Sequence, residues 1–189
     1  DVATDQGDVV ARLTSQIAEG TEFIVPMGER ADPQTVQFGN HVDTEPVGVL
    51  AWEATRIASG IPRIGLDTDA RTIPNEIGLY ATHLDKGCYR GQETVARVHN
   101  LGRPPRRLTM LMLDGSDAEL PDPGASVILE GRKVGQLGGV AMHHELGPVG
   151  LALLKRNVSV DSVLTVDGVA ASQTILVDPE VGLHVRPQL

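Results

Sequence analysis

The stretch SVILEGRKVGQLGGV, residues 126–140, and the later stretch VLTVDGVAA, residues 163–171, decide the fold. Each holds a short apolar run, a two-residue turn and a second run. At Glu130-Gly131 and Asp167-Gly168 the glycine supplies the positive φ that such a turn requires, so both stretches read as antiparallel hairpins. Outward from them lie similar runs at Leu108–Leu113 and Gly150–Leu154. The expected strands are therefore Leu108–Leu113, Ser126–Glu130, Lys133–Val140, Gly150–Leu154, Val163–Val166 and Val169–Ala171. About six strands in roughly 80 residues predict a small antiparallel barrel or sandwich. The change of texture at Pro104–Arg107 is the expected boundary between one domain over 1–106 and a second over 107–189.

Upstream the pattern is mixed, which makes the whole chain an expected α+β protein. Val10, Leu13 and Ile17 recur at helical spacing between Asp8, a possible cap, and Gly20, a possible closing residue, predicting a short helix. Thr21–Val25 reads as extended, and Ala31–His41 as a loop around a short strand. Thr44-Glu45-Pro46 opens a second predicted helix with an apolar stripe of Leu50, Ala54, Ile57, Ala58 and Ile61, ending near Gly60 and Pro62; Trp52 lies off the stripe. From Arg63 to Leu84, glycines and Pro74 interrupt any period, so short elements in a loop are expected. A further helix is predicted from about Gly91 to Asn100 or Gly102.

Composition limits the function classes. The 189 residues are 41% hydrophobic and 22% charged, which excludes disorder as the dominant state. No uninterrupted apolar run reaches the roughly 18 residues that span a bilayer, so a soluble, cytoplasmic protein without a membrane partner is expected. Cys88 is the single cysteine, which rules out an internal disulfide and any site built from several thiolates. The adjacent His143 and His144 have no metal-ligand spacing, and no permanently bound metal is expected. His83 and His99 flank the basic segment described next, with a polar structural role the simpler reading.

Charge is uneven. Lys86 to Arg107 contains six basic side chains and one acid, a net of +5, while the remaining 10 basic and 24 acidic residues give −14. A local positive field in an acidic chain suits a small polyanion better than nucleic acid, for which Tyr89 is the only stacking residue in the segment. Cys88 sits there just before a predicted helix N-terminus, between Lys86 and Arg90, where the local field favours the reactive thiolate. A lone cysteine is more often a small packing residue. Gly87 and Gly91, flanking Cys88-Tyr89-Arg90, shift the reading toward close approach of a ligand or a neighbouring element.

Lys86–Glu93 reads KGCYRGQE and resembles the K-G-C-[YF]-x-G-Q-E signature of the YgfZ family, folate-binding proteins linked to iron–sulfur cluster assembly and repair. Trp52–Ala54, Arg56–Pro62, Ile73–Leu79 and Val95–Arg97 agree in order and spacing, so the resemblance is strong over about 45–108 and looser over the strand-rich tail. That family is similar in fold to the glycine cleavage T-protein, an aminomethyltransferase that uses tetrahydrofolate. The resemblance implies a T-protein-like folate-binding region over 1–106 followed by a C-terminal antiparallel β-barrel. Whole members are nearly twice this length, so the chain is expected to lack most of an N-terminal α/β region, which would be a partner of this piece.

The resemblance further implies that Cys88 and Lys86 carry the chemistry, with Glu76, Tyr89, Gly87, Gly91, Gln92, Glu93 and Arg97 around tetrahydrofolate or a derivative. Glu76 matches the family's pterin-facing glutamate, and a carboxylate can accept the pterin's two parallel N–H donors. Without the resemblance it reads as a solvated turn residue. Trp52, Tyr80 and Tyr89 are candidates for stacking on the rings, and Arg97, Arg103, Arg106 and Arg107 for the folate carboxylates. Three functions follow: a folate-binding accessory protein for iron–sulfur enzymes or their assembly proteins, with Cys88 as transient ligand, disulfide-exchange partner or reductive trap; a tetrahydrofolate-dependent one-carbon transferase, to which Cys88 would be dispensable; and a non-folate interaction module.

Overall fold

The computed structural model describes residues 48–79, 87–101, 104–115 and 119–180, together with the backbone of three strands nearer the start. Those strands, β1 (Val2–Asp5), β2 (Asp8–Thr14) and β3 (Thr21–Ile24), form an antiparallel sheet in chain order. β2 corrects the helix expected from Asp8 to Gly20. Within DVVARLT the residues Val9, Ala11 and Leu13 also recur at the strand period of two, the consecutive valines favour extended backbone, and pairing on both sides decides for the strand. The extended reading at Thr21 holds for β3, whereas Ala31–His41 lies outside the described residues.

The second half is a closed six-stranded barrel in the order β4-β7-β6-β5-β8-β9, with β9 pairing back onto β4. Its strands are β4 (Arg106–Leu113), β5 (Ser126–Leu129), β6 (Arg132–His143), β7 (Gly147–Lys155), β8 (Leu164–Val166) and β9 (Val169–Ile175). All neighbours run antiparallel. Both hairpin turns form as expected, with positive φ at Glu130 (49°), Gly131 (74°), Asp167 (50°) and Gly168 (88°). Left-handed backbone at both central residues is the type I′ pattern, whose twist matches that of the strands.

Six strands contribute Leu111, Val127, Leu137, Leu154, Leu164 and Ala171, among others, to one interior cluster. Alternate residues of β4 and β7, including Leu108, Met110, Val149, Leu151 and Leu153, face outward into a second cluster under α1 (Val49–Ala58). Because β7 is covered on both faces, GPVGLALL reads as a nearly continuous apolar run rather than an alternation. Ala54 and Ile57 supply the helix contribution, and burying Ile57 stabilises by about 1.5–3 kcal/mol. The expected stripe is only partly correct: Leu50 is 82% exposed, and Arg56 takes a buried place beside Ile57.

The helix sits close to the barrel because β6 carries Gly138 and Gly139 at a break in its register with β7. A Cβ on Gly138 would fall 2.3 Å from Asp67 Oδ1, and one on Gly139 would fall 2.6 Å from Arg56 Nη2. The segment after α1 turns through a 3-10 helix at Pro74–Ile77, matching the expected short elements in a loop. α2 (Gln92–Leu101) follows, starting where the sequence predicts. Among the described residues, no helix is long and apolar enough to cross a membrane.

Candidate functional site

The signature segment forms an exposed turn leading into α2. Gln92 N–H donates to the Tyr89 carbonyl at 3.2 Å, the Gln92 side-chain oxygen accepts from Tyr89 N–H at 3.2 Å, and Gly91 has φ +82°. A positive φ at the third residue of a four-residue turn is the reason for glycine at 91. Gly91 then accepts the first helical N–H groups, those of Thr94 and Val95, at 3.1 Å. Nothing lies within 4 Å of a Cβ built on Gly87 or Gly91, so neither glycine serves a close contact with another described part of the chain. The turn explains Gly91; nothing in the structure explains Gly87.

Cys88 is a free, exposed thiol on this turn. Arg90 and Glu93 are exposed, while Tyr89 and Gln92 are half-buried. Lys86, Tyr80 and Arg103 lie outside the described residues, as does the side chain of Arg97. Trp52 is on the outer side of α1, 42% exposed.

Glu76 occupies a different environment from either sequence reading. It has no exposed surface. Its Oε1 accepts from Arg106 Nε at 2.9 Å, and its Oε2 accepts from Arg106 Nη2 at 2.9 Å and Ile73 N–H at 3.1 Å. In this arrangement both carboxylate oxygens are already bonded within the fold. Arg106 also holds Asp69, donating from Nη1 to Oδ2 at 2.7 Å and from Nη2 to Oδ1 at 3.1 Å. Two carboxylates on one guanidinium raise the Arg106 pKa above its usual range, chiefly through the bonds to Glu76 and then those to Asp69. The same bonds hold the Asp69 carboxyl well below its ordinary range.

Arg106 is thus engaged within the fold, and so is Arg107. The side chain of Arg107 points inside the barrel, 1% exposed, where it donates to Thr109 Oγ1, the Val158 carbonyl and Gln173 Oε1. Burial pushes its pKa down. Neither arginine is free to meet folate carboxylates as expected from charge alone, because alternation along β4 sends one to Glu76 and the other into the core.

A second network escaped the sequence reading. Arg56, 1% exposed, donates to Glu53 Oε2 at 2.7 Å and to Asp67 Oδ2 at 2.9 Å. Asp67 accepts in addition from Arg63 N–H and, across to the barrel, from Gly139 N–H at 2.5 Å. Arg63 closes the ring by pairing with Glu53. Burial alone would raise the Glu53 pKa, but the bonds from Arg56 and Arg63 outweigh it and the net shift is downward. The available signals were an arginine inside an apolar stripe and a Gly-Gly pair inside a strand. Among the described residues, no cluster of three His, Cys, Asp or Glu could hold a metal ion.

Comparison with known proteins agrees with this architecture. Residues 106–176, the barrel, match the family model of the CAF17 C-terminal β-barrel domain. A putative chloroplastic transferase of Arabidopsis thaliana is 37% identical over 93 residues, 49% of this chain and 21% of its own length. The tRNA-modifying protein YgfZ of Colwellia psychrerythraea is 36% identical over 80 residues, covering 41% of this chain and 24% of the relative. That of Escherichia coli strain K12 is 37% identical over 82 residues, 42% and 24% respectively. The aligned part therefore spans about a fifth to a quarter of each of these relatives. Barrel topology, the KGCYRGQE turn and these relatives together support the resemblance to the YgfZ family, with residues 106–176 matching the CAF17-type C-terminal barrel.

Proposed function

We propose that this chain belongs to a tetrahydrofolate-binding accessory protein that supports iron–sulfur cluster assembly or repair, with Cys88 as its reactive group. The carrying observation is the presentation of Cys88: a free thiol, exposed on a glycine-bearing turn immediately before α2, inside the family signature. Packing does not explain a cysteine there, whereas a group that meets a client must be accessible. One cysteine cannot retain a cluster alone, so the thiol acts transiently while a client or assembly protein supplies the other ligands. The name of the bacterial relatives, tRNA-modifying protein, makes tRNA-modifying enzymes that carry iron–sulfur clusters a natural client class.

In this reading the folate lies on the side of the signature turn, with Tyr89, Gln92, Glu93, Arg97 and the bare backbone at Gly87 as its candidate contacts. Glu76 fixes Arg106 and the 3-10 turn from within the fold. The test is complementation of a strain deleted for its YgfZ protein, scored by the activity of an iron–sulfur enzyme. Cys88→Ala should fail to rescue, and full rescue would remove the thiol mechanism. Titration of 5-formyl-tetrahydrofolate into the same full-length protein should saturate with and without the thiol.

A folate-dependent one-carbon transferase is the second reading, favoured by the name of the plant relative. It requires methylene-tetrahydrofolate to form from an aminomethyl donor at a rate that survives Cys88→Ala.

A further inference from the structure

A cavity of about 420 Å³ opens on the outer wall of the barrel, with none of the described residues of the signature turn in its lining. Its wall is made where β4, β7 and β6 run side by side, and the loop carrying Leu66 to Asp69 overhangs it. Leu66 and Leu153 are among its apolar lining residues, Val134 and Leu137 border it while packing inside the barrel, and Lys133, Lys155, Gln136 and Arg106 are among the polar groups. An apolar cavity of this size with a few convergent polar groups is the usual form of a small-molecule site.

The cations here are unequal. Arg106 and Lys155 are direct cross-strand partners, a like-charge pairing that costs stability unless compensated. Arg106 is compensated by Glu76 and Asp69. Lys155 is not: its ammonium donates to the Lys133 carbonyl at 3.1 Å, which brings it beside a second exposed lysine. Among the described residues, neither Lys133 nor Lys155 has a carboxylate within 4.0 Å, and the Gln136 amide at the same rim has no hydrogen-bond partner. The two acids in the lining are already engaged. Asp67 is paired with Arg56, and Asp69 accepts from Arg106, Thr72 and Arg71 N–H.

We propose that this cavity binds a small molecule with a flat apolar body and an oxyanion, phosphate or carboxylate, the anion meeting Lys133, Lys155 and Gln136 while the body lies against Leu66 and Leu153. Among the described residues, the donors at the rim that lack a carboxylate partner are two ammoniums and an amide, a set that suits an acceptor carrying negative charge. The site is separate from the folate reading and stands or falls without it.

The test is amide-resolved NMR titration of the full chain with two matched pairs, adenosine 5′-monophosphate against adenosine and 2-naphthoate against 2-naphthylmethanol. At least one anion should give saturable shifts at residues 66–69 and 133–138, and the responding pair identifies phosphate or carboxylate as the preferred group. Its neutral counterpart should bind at least about fivefold more weakly, and Lys133→Gln/Lys155→Gln should weaken the anion about tenfold. Both lysines are exposed and Lys155 faces a like charge, so the variant should melt at or slightly above the parent's temperature. No saturable shift at about 5 mM of either anion, above the weakest affinities that count as recognition, would overturn the proposal. Equal binding of the neutral counterpart, or unchanged affinity in the double variant, would overturn it as well.

Discussion

Glu76→Ala separates a ligand-binding glutamate from a fold-holding one. The substitution leaves Arg106 with one carboxylate, Asp69, and leaves the Ile73 N–H without its acceptor. Breaking a buried charge pair by removing one partner costs about 3–5 kcal/mol. Here the guanidinium remains 24% exposed and keeps Asp69, which places that component at about 3 kcal/mol. The orphaned N–H adds about 1 kcal/mol. For a chain of 189 residues, a loss of about 3–4 kcal/mol lowers the melting temperature by about 6–15 °C. Urea and thermal unfolding of Glu76→Ala, Arg106→Met and the double variant measure it. The double variant should cost less than the sum of the singles by about 1–3 kcal/mol, because each single already removes the shared interaction. A Glu76→Ala protein destabilised by less than about 1 kcal/mol, yet unable to bind 5-formyl-tetrahydrofolate, would refute the assignment and return Glu76 to the ligand.

The other predictions test the remaining joints of the structure. Gly138→Ala should destabilise by about 1–3 kcal/mol, since its Cβ would meet Asp67 Oδ1 at 2.3 Å; Gly48→Ala, with open space around it, should unfold at the parental urea midpoint. Gly91→Ala forces a left-handed backbone onto an L side chain, at about 1–2 kcal/mol. Hydrogen exchange should therefore accelerate at Thr94 and Val95, whose N–H groups bond to Gly91, with no change in β4. The Asp69 carboxyl has a lowered pKa in the fold, so its contribution is fully present above its ordinary value of 3.8 and is lost as pH falls below it. Unfolding free energy should fall below about pH 4, with a shallower acid limb in Asp69→Asn.

The barrel was legible because its determinants are local. Glu130-Gly131 and Asp167-Gly168 specify their turns within two residues, and the flanking runs need only be apolar enough to pair. Strand ends were less legible. β6 continues past Val140 to His143 and β7 starts at Gly147, because Met142 pairs with Pro148 and His143 with Gly147. Backbone hydrogen bonding between neighbours extends strands through residues whose composition suggests a loop. The reverse holds at Asp8–Thr14, where Val10 and Leu13, read together with Ile17 beyond it, fit a helical face while pairing with strands on both sides decided the outcome. Seven residues are too few for one periodicity to exclude the other.

The candidate site divides along the same line. The turn before α2 was readable, since Gly91 and Gln92 act on Tyr89 only two or three residues away. Glu76 and Arg106 are 30 residues apart, and Arg56 and Asp67 meet only after the loop has folded back onto Gly139. No local pattern marks either pair. Charge counting assigned Arg106 and Arg107 to a ligand because it treats cations in one segment as equivalent, whereas a strand sends neighbouring side chains to opposite faces. The consequence is functional: the basic character of residues 86–107 is partly neutralised within the fold. An anionic partner must therefore find charge that remains unpaired, and among the described residues of the barrel that charge includes Lys133 and Lys155, which lie outside the basic segment altogether.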